Sequence, residues 1–518
     1  MSATRPQQNS RDLLLAILSG VLLTLSFPPG NFSFAAWFAL VPLLKGIQNS
    51  SLSHAFKLGV VSGLAHYLTL IYWIIIVLKH YGNLHVVIAL LCLLLLSLYL
   101  SLYLGLFASL TSRLADSRLV PVIAACYWVA LEYLKSYIIT GFPWCLMGYT
   151  QYEHLHIIQV ADRVGVYGIT FLIVLINGLI YRLISLHPGR WRDVVKWELP
   201  VPLLLLTGAW VYGHVHLSGI KDEEQTGRAV KAAIVQANID QSEKWNPAYQ
   251  GKTIQTYCRL TRSAESFGPE LVVWPETALP FFFQDNPKFT PGIFSLADES
   301  GAILVFGSPA YRRHKGAVRY FNRAYMIAPG SRHVAYYDKN HLVPFGEYVP
   351  LKKYLPFVNR LVAAAGDFKA GDEIKPLKAE DLSLGVLICF EAIFPELAGT
   401  LAKEGANILV NITNDAWFGR SSAPYQHLTM AAFRCVETRR PMIRAANTGF
   451  SAFIDPTGQI RSRSELFSES VLKGSVPLNP LPLTFYSRYG DLFALALLIL
   501  SCAHVAYSFV TKRLRTAV

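Results

Sequence analysis

The sequence predicts a multi-span α-helical membrane domain joined to an α/β domain. Hydrophobic residues make up 53% of the 518 residues. They are concentrated in residues 12–215 and again in residues 491–510. A transmembrane helix needs about 20 mainly apolar residues, and several of these runs reach that length. The middle of the chain instead alternates short β-branched runs with helical stretches, which is typical of a globular α/β domain.

Eight apolar runs are candidates for transmembrane helices, although the first two are short. They are residues 12–27, 32–47, 54–78, 85–111, 119–137, 164–186, 199–215 and 491–510. Arg5 and Arg11 precede the first run, as in a signal peptide. However, a second hydrophobic run follows where a cleavage site and soluble sequence would be expected. The first run is therefore predicted to be a retained span.

The distribution of Lys and Arg predicts the orientation of the spans. One set of connections holds most of the basic residues, including Arg190, Arg192 and Lys196 between spans six and seven, and the other set holds few. Positively charged connections stay in the cytoplasm, so both termini are predicted to be cytoplasmic. The segment between spans seven and eight then lies outside the cytoplasm.

The net charge of +13 does not indicate a nucleic-acid partner, because the basic residues form no single block and many flank the apolar runs. No Walker or Rossmann glycine loop occurs in the sequence. The seven cysteines show no CxxC or Cys/His metal spacing, so no metal or other cofactor is predicted. Three of them, Cys258, Cys389 and Cys435, lie in the middle domain and cannot all pair, which leaves at least one free thiol there.

Eight strand-like runs are predicted in the middle domain. They are residues 229–236, 270–274, 301–308, 323–329, 384–389, 408–412, 442–446 and 451–455. Helices would cover such strands, and active residues would lie at strand ends. The predicted domains are residues 1–220 with spans one to seven, residues 221–480 for the α/β domain, and residues 481–518 for the eighth span and a basic tail.

Three reactive side chains end separate elements of the middle domain: Glu276, Lys339 and Cys389. Cys389 directly follows an apolar run, which places it at a strand end. A thiol with a pKa of about 8.5 becomes a good nucleophile when a base removes its proton or a cation stabilises the thiolate. Glu276 and Lys339 are suited to those two roles. Taken singly, the three residues also fit a turn carboxylate, a surface ion pair and a buried core thiol, respectively.

The contexts of these residues resemble the three signature blocks of the nitrilase, or carbon-nitrogen hydrolase, superfamily. In chain order the blocks are Trp274-Pro275-Glu276-Thr277, Tyr337-Asp338-Lys339-Asn340-His341-Leu342-Val343-Pro344-Phe345-Gly346-Glu347 and Ile388-Cys389-Phe390-Glu391. The resemblance covers roughly residues 229–478. It implies an α-β-β-α sandwich and a Glu-Lys-Cys catalytic triad made of Glu276, Lys339 and Cys389.

The chain as a whole resembles the apolipoprotein N-acyltransferase family. Its nitrilase-like domain lies between spans seven and eight, and further matching motifs are Gly141-Phe142-Pro143-Trp144, Lys244-Trp245-Asn246-Pro247 and Asn414-Asp415-Ala416-Trp417-Phe418-Gly419. The resemblance implies transfer of an acyl chain from a phospholipid, through a Cys389 thioester, to the α-amino group of the N-terminal diacylglyceryl-cysteine of an apolipoprotein. This step belongs to lipoprotein maturation.

The same resemblance implies where the protein works and with what. The expected location is the bacterial inner membrane, with the catalytic domain facing the periplasm. The expected partners are a phospholipid acyl donor, a diacylated apolipoprotein acceptor and the lipid bilayer, with no nucleic acid. The protein is expected to act as a monomer.

The resemblance also assigns residues around the triad. Glu347 would be a second carboxylate that orients Lys339 or assists proton transfer, and Glu391 would be a positioning group. Phe390 stands where the family commonly has tyrosine, so it is left out of the catalytic set and kept as a packing or substrate-contacting residue. The residues expected to bind or gate the lipid are Trp245, Trp417, Phe418 and Trp144. For the tryptophans, core packing is the alternative.

Several alternatives remain open at the level of sequence. Residues 141–159 fit either an interfacial aromatic belt or an arm that shapes a lipid entrance. His341, Asp338 and Asp415 would allow a Cys-His-Asp site, which the three blocks make unnecessary because they already supply a base and a cation. A membrane-tethered amidase would use water in place of the amine. A transporter would need charges within its spans, of which Glu132 is the clearest.

Overall fold

The computed structural model describes residues 5–114, 117–185, 191–226, 228–314, 316–348, 368–478 and 481–517. The chain divides into two compact units. The helical unit comprises Met1–Ile75, His85–His216 and Asp491–Val518, and the sheet unit comprises Ile76–Leu84 and Leu217–Gly490. A short segment that begins at the end of the third predicted span, Ile76–Leu84, therefore belongs to the sheet unit. Nothing in the sequence pattern had indicated this.

The helical unit consists of apolar helices joined by short connections. Its α-helices are Arg5–Leu25, Val41–Gly46, Leu52–Leu70, Ile74–Ile76, Val86–Ser112, Val120–Tyr137, Leu155–Ile158, Ala161–Ser185, Trp191–Asp193, Pro200–Thr226 and Leu492–Ala517, of which Ile74–Ile76 and Pro200–Thr226 continue into the sheet unit. Small residues allow helix axes to approach closely. At Gly59, for example, an added Cβ would lie 2.4 Å from the carbonyl oxygen of Leu104.

Three helices are long and apolar enough to cross a membrane: Val86–Ser112, Ala161–Ser185 and Leu492–Thr511. The pair Leu52–Leu70 and Ile74–Tyr81 passes the same test only when taken together, and it is bent by 56°. The described residues thus contain three candidate spans, or four if the bent pair is one span. The eight predicted spans are not all accounted for, and that number stays a prediction.

The first, second and fifth predicted spans are not long and apolar enough to cross a membrane as single helices. The first and fifth form helices, but Arg11 and Asp12 in one and Glu132 and Lys135 in the other lower their apolar character. The predicted second span is not one helix, because the apolar stretch Ser33–Gly46 is divided into two short helices. A stretch of that length is shorter than the roughly 20 residues that a perpendicular helix needs.

Part of the aromatic segment 141–159 is packed inside the helical unit. Residues 143–151 are buried throughout, and Trp144 is only 1% exposed. The backbone N–H of Met147 donates a hydrogen bond of 2.8 Å to the buried carboxylate of Glu132, which satisfies a polar group that burial would otherwise penalise. An interfacial belt would expose these rings, so the burial of residues 143–151 does not fit that expectation. The arm that shapes a lipid entrance stays a prediction.

The sheet unit contains two six-stranded mixed sheets. In chain order the strands are β1 Ala229–Gln236, β2 Leu271–Val273, β3 Ile303–His314, β4 Ala317–Ile327, β5 Val334–Asp338, β6 Leu377–Ala379, β7 Leu382–Ile388, β8 Ile408–Thr413, β9 Met442–Ala446, β10 Ala452–Ile454, β11 Ile460–Arg463 and β12 Ser470–Pro477. The first sheet has the order β12-β1-β2-β3-β4-β5 and the second the order β11-β10-β9-β8-β7-β6. Each sheet has three neighbouring parallel strands, β1-β2-β3 and β7-β8-β9.

The two sheets pack face to face between layers of helices. Alternate residues of each sheet, such as Ile234 of β1 and Val386 of β7, share one core. Helices Gln250–Arg262 and Thr290–Ser300 cover the other face of the first sheet. Helix Pro395–Lys403 packs over β7 on the second sheet, and helix Ala423–Thr438 packs beside it. The unit is an α-β-β-α sandwich, which confirms the predicted fold class for this part of the chain.

All eight strand-like runs that the sequence predicts lie on strands of these sheets, with shifted ends. Four strands, β5, β6, β11 and β12, were not predicted. Strand β6 has only three residues, β11 is polar and largely exposed, and β12 is mostly half-buried with Ser, Lys and Gly between its apolar residues. Their place at sheet edges is set by pairing with neighbouring strands rather than by apolar alternation.

Candidate active site

The reactive residues follow the ends of three strands. Glu276 lies just beyond β2, Lys339 directly after β5 and Cys389 directly after β7. All three are buried, with exposed fractions of 6%, 1% and 8%, respectively. Parallel strands place their carboxyl ends at one edge of a sheet, where loops form a site. The structure therefore brings together the three residues that the sequence singled out.

Cys389 has an unusual backbone conformation. Its φ angle is +52°, in the left-handed region that non-glycine residues rarely adopt. His427 Nε2 donates a hydrogen bond of 3.1 Å to the Cys389 carbonyl oxygen, which helps to hold this conformation. Residues kept in such sparsely populated conformations cluster at functional sites.

The surroundings of Cys389 raise the pKa of its thiol above the ordinary value, which favours the protonated form. Burial raises its pKa, the carboxylate of Glu276 raises it further, and the ammonium of Lys339 opposes both effects. A thiol is a much weaker nucleophile than a thiolate. A nearby base must therefore take the proton when sulfur attacks.

The carboxylate of Glu276 is held at both oxygens. The side-chain amide of Asn322 donates to Oε1 at 2.7 Å, and the backbone N–H of Asn414 donates to Oε2 at 2.9 Å. The Lys339 Nζ atom lies 3.8 Å from Oε1. Gly307 of β3 is needed beside this loop, because a Cβ there would lie 2.7 Å from the Glu276 Cα atom. These contacts hold the carboxylate in one orientation, as a general base requires.

Lys339 is a buried ammonium between two carboxylates. Its Nζ atom lies 2.9 Å from the Glu347 carboxylate and 3.8 Å from that of Glu276. Burial lowers the pKa of Lys339, but the carboxylates of Glu347 and Glu276 outweigh burial and raise it above its ordinary value. Lys339 therefore remains charged and can stabilise an anion that forms nearby.

Glu391 connects the loops that carry Cys389 and Lys339. One of its carboxylate oxygens accepts the backbone N–H of Ile388 at 2.7 Å. The other accepts the backbone N–H groups of Asn340 at 2.6 Å and His341 at 3.0 Å. Burial raises the pKa of Glu391 to about 7, although these hydrogen bonds oppose the rise. The contacts with Asn340 and His341 join the loop of Lys339 to the loop of Cys389, as a positioning residue does.

A buried network lies under the nucleophile loop. Asp415 Oδ1 lies 3.1 Å from His427 Nδ1, and Asp415 Oδ2 accepts a hydrogen bond of 2.8 Å from Arg444. Burial raises the pKa of Asp415, but Arg444 and His427 outweigh it and hold that pKa below its usual range. Through the bond from His427 to the Cys389 carbonyl, this network supports the backbone of the nucleophile.

The other side chains of the alternative Cys-His-Asp arrangement are engaged elsewhere. Asp338 accepts hydrogen bonds of 2.5 and 2.9 Å from Arg323. The ring of His341 stacks on Phe394 with 3.7 Å between centroids. Burial and the charge of Lys339 lower the pKa of His341 to about 4, so this imidazole is neutral.

Two of the residues expected to gate the lipid lie on surface segments of the sheet unit. Trp245 follows the short helix Gln241–Lys244 and is 48% exposed. Trp417 is half-buried, and its ring meets that of Tyr81 edge to face at 4.9 Å. Neither tryptophan is a core residue, so the core-packing alternative does not hold for them.

The other aromatic candidates, Phe418, Phe390 and Trp144, pack against neighbouring rings. Phe418 packs edge to face on His427 at 6.3 Å, and Phe390 packs on Phe394 at 5.2 Å. Trp144 belongs to the helical unit and packs there against another tryptophan ring. Its burial gives no support to the gating role that the sequence suggested.

The structure adds residues that sequence reasoning had not placed in the site. Asn322 bridges the carboxylates of Glu276 and Glu347 at 2.7 and 2.9 Å, and Asn414 binds Glu276. Lys244 is 2% exposed and donates a hydrogen bond of 3.2 Å to the Glu276 carbonyl oxygen. Lys244 and Asn414 lie in motifs already noted in the sequence, whereas no sequence signal marks Asn322. Among the described residues, no group of His, Cys, Asp and Glu that could hold a metal ion was found.

Replacing Lys244 by methionine is expected to slow acyl transfer about tenfold, the usual effect of losing one charge-assisted hydrogen bond. Burial lowers the pKa of Lys244 to about 8, opposed mainly by the nearby Glu276. The ammonium is thus present below pH 8 and lost above it, so the wild-type rate should fall as pH rises through about 8. Rates measured from pH 6 to 10 should lack this fall in Lys244→Met.

The matched control is Lys252→Met, because Lys252 is exposed and pairs with Glu243 on the surface. Its rate profile should match that of the wild type. The thermal midpoint of Lys244→Met at pH 7 should not drop, since burying an ammonium opposes folding. A lower midpoint together with an unchanged pH profile would mean that Lys244 is only structural.

Comparisons with known proteins agree with this geometry. Residues 231–481 match the family model for carbon-nitrogen hydrolases, and residues 19–179 match the model for the apolipoprotein N-acyltransferase N-terminal domain. An apolipoprotein N-acyltransferase of Geobacter metallireducens is 45% identical over 97% of this chain and 96% of its own length. One of Rickettsia prowazekii is 31% identical over 96% of this chain and 97% of its own length.

Among solved structures, a carbon-nitrogen hydrolase from Helicobacter pylori has a TM-score of 0.37 at 19% identity and covers 48% of this chain and 90% of its own. The sandwich fold and the buried Glu, Lys and Cys side chains define the class of the sheet unit, which is a carbon-nitrogen hydrolase domain of the nitrilase type. With the helical region matched as well, the full chain belongs to the apolipoprotein N-acyltransferase family.

Proposed function

We propose that this protein transfers an acyl chain from a phospholipid to the α-amino group of the N-terminal diacylglyceryl-cysteine of apolipoproteins. The observation that carries the proposal is a set of three buried side chains that follow strand ends: the Cys389 thiol, the Glu276 carboxylate and the Lys339 ammonium, whose Nζ atom lies 3.8 Å from the Glu276 carboxylate. That arrangement suits a nucleophile that forms an acyl-enzyme. Membership of the family supports the choice of substrates.

In the first half of the reaction, the Cys389 sulfur attacks the ester carbonyl carbon of the phospholipid while Glu276 takes the thiol proton. The carbonyl oxygen becomes an oxyanion, which the Lys339 ammonium stabilises. The carbon–oxygen bond to glycerol then breaks. Glu276 returns the proton to the leaving alkoxide, so a lysophospholipid departs and a Cys389 thioester remains.

In the second half, the neutral α-amine of the acceptor attacks the thioester carbonyl carbon. Lys339 again stabilises the oxyanion, and Glu276 takes a proton from the amine nitrogen. The carbon–sulfur bond breaks as the amide forms. Glu276 then passes its proton to the Cys389 sulfur, which restores the starting site. Glu347 would orient Lys339, and Glu391 would keep the two loops in register.

The remaining features of the proposal concern substrate access and location. Trp245, Trp417, Phe418 and Phe390 would contact or gate the acyl chains. The protein would cross the bacterial inner membrane through eight helices and work as a monomer. The membrane domain would comprise residues 1–220, the catalytic domain in the periplasm 221–480, and the last span and cytoplasmic tail 481–518.

Intact mass spectrometry tests the function directly. Incubating the purified full chain with phospholipid should add one acyl mass, map to Cys389 and be reversed by hydroxylamine. Adding a diacylated lipopeptide should then yield the triacylated peptide and remove the adduct. Free fatty acid in place of the triacylated peptide would instead point to hydrolysis by water, and the absence of an adduct during turnover would remove the thioester route.

A further inference from the structure

The sheet unit contains a cavity whose lining includes none of Glu276, Lys339 and Cys389. It has a volume of about 640 Å³. Its walls come from segment Ile76–Leu84, from the loop after β1, from the end of the short helix Asp415–Phe418, and from Thr448 and Phe467. No step of the proposed mechanism uses this space.

The cavity contains a cation that is available for a ligand. The guanidinium of Arg420 lies over the ring of Phe467 at 4.9 Å, and the residue is exposed. In the part of the chain that the structure describes, no carboxylate forms an ion pair with it. The acidic residue lining the cavity, Asp240, accepts hydrogen bonds at Oδ1 from the Ser242 N–H at 2.8 Å and hydroxyl at 2.7 Å.

A buried hydroxyl of the cavity wall also lacks a partner. Thr448 is only 3% exposed, and its Oγ1 atom has no hydrogen-bond partner among the described residues. Its backbone carbonyl accepts the N–H of Phe467 at 2.8 Å, which ties it to the ring beneath Arg420. Buried polar side chains are nearly always satisfied, so such an atom points to a missing ligand group.

Two hydrogen bonds connect this cavity to the general base. Gln241 of the cavity wall accepts a bond of 2.8 Å from the side-chain amide of Asn414. The backbone N–H of Asn414 donates to the Glu276 carboxylate at 2.9 Å. A molecule in the cavity would thus lie against residues that orient the base.

From these contacts we infer that the cavity binds the headgroup phosphate of the phospholipid acyl donor. Arg420 supplies a guanidinium, which matches a phosphate in charge and geometry, and Thr448 supplies a hydroxyl donor. In a phosphoglyceride only the glycerol unit separates the phosphate from the ester carbonyl that Cys389 attacks. The inference rests on the proposed function, because it assumes a phospholipid donor.

The test compares two acyl donors on wild type and Arg420→Gln. Dioleoylphosphatidylglycerol in detergent micelles carries the phosphate, and p-nitrophenyl palmitate does not. For the phospholipid, kcat/KM of acyl-enzyme formation should fall about tenfold in Arg420→Gln, mostly through KM. Acyl-enzyme formation from p-nitrophenyl palmitate should be unchanged. Thr448→Val should show the same selectivity with a smaller loss.

The matched control is Arg463→Gln, because the Arg463 guanidinium also lies over a ring, that of Phe450 at 5.0 Å, but does not line the cavity. It should behave as wild type with both donors. As a competitor, glycerol 3-phosphate should inhibit wild type more strongly than Arg420→Gln. Equal inhibition by inorganic phosphate would overturn the assignment to a lipid headgroup in favour of a free phosphate.

Failure of the headgroup site can be distinguished from failure of the proposed function. If wild type forms an acyl-enzyme with both donors and Arg420→Gln reacts equally well with the phospholipid, the headgroup site is wrong and the proposed function stands. If the wild type forms no acyl-enzyme with either donor, the proposed function fails. A loss in Arg420→Gln that is equal for both donors would indicate damage to folding and would also overturn the headgroup site.

Discussion

Cys389→Ala should reduce acyl transfer by about 10⁴-fold or more, the range seen when a catalytic nucleophile is removed. The variant lacks the sulfur that bonds to the acyl carbon, so no thioester can form. Cys389→Ser should retain little activity, because a hydroxyl gives up its proton far less readily than a thiol. Transfer is measured as triacylated lipopeptide, and the acyl adduct is measured by intact mass.

Cys435→Ala provides the matched control for Cys389→Ala. Cys435 is another fully buried free thiol of the same unit, on helix Ala423–Thr438, and burial raises its pKa as well. Its replacement should leave both the adduct and the transfer intact. If Cys389→Ala kept transfer while Cys435→Ala lost it, the nucleophile would have been misassigned.

The sandwich fold was predictable because its strands are buried and strongly apolar. Strands β7 and β8, for example, are buried along almost their whole length. A short apolar run of this kind predicts a buried strand even when the strand that pairs with it is unknown. The edge strands could not be predicted in this way, because they lack such apolar runs. Strand β5 is one of these edge strands. Lys339 was therefore predicted from its motif and not from its position directly after a strand.

The proposed catalytic trio was predictable because each of its residues lies within a short motif of consecutive residues. Their supporting contacts join positions far apart in the chain, such as Asn322 to Glu276 and Lys244 to the Glu276 carbonyl. The contact of Asn322 depends on the way that β2 and β4 are joined through β3, and that of Lys244 on the fold of the loop after β1, neither of which the local sequence encodes. Neither Lys244, on a short helix, nor Asn322, on β4, has a local sequence pattern that by itself indicates a function.

In the predicted membrane domain, the sequence predicts the helices better than it predicts their ends. Apolar length predicts that a segment is a helix but not where it breaks. Residues 54–78 were predicted to form one continuous span. The structure has a helix that ends at Leu70 and a second helical stretch, Ile74–Tyr81, at a bend of 56°, and Ile76–Leu84 belongs to the sheet unit. There Tyr81 donates a hydrogen bond of 2.7 Å to the Ala416 carbonyl and meets Trp417. That tertiary contact competes with continuation of the helix and is invisible in hydropathy.

Glu276→Gln should slow formation of the acyl-enzyme by about 10²- to 10⁴-fold, the usual contribution of a general base. Glutamine keeps the size of the side chain but cannot take the thiol proton. Burial raises the pKa of Cys389, so very little thiolate forms without a base. The residual rate should therefore rise with pH, because solvent hydroxide must then generate the thiolate. The measurement is the pH dependence of lysophospholipid release in a single turnover.

Glu270→Gln is the matched control, because Glu270 lies at the opposite end of β2 and also accepts a backbone N–H, that of Lys231 at 3.1 Å. Its rate should equal that of the wild type across the pH range. Equal losses in Glu270→Gln and Glu276→Gln would show that either change merely disturbs β2. A Glu276→Gln rate that is low but independent of pH would assign Glu276 to holding Lys339 in place rather than to proton transfer.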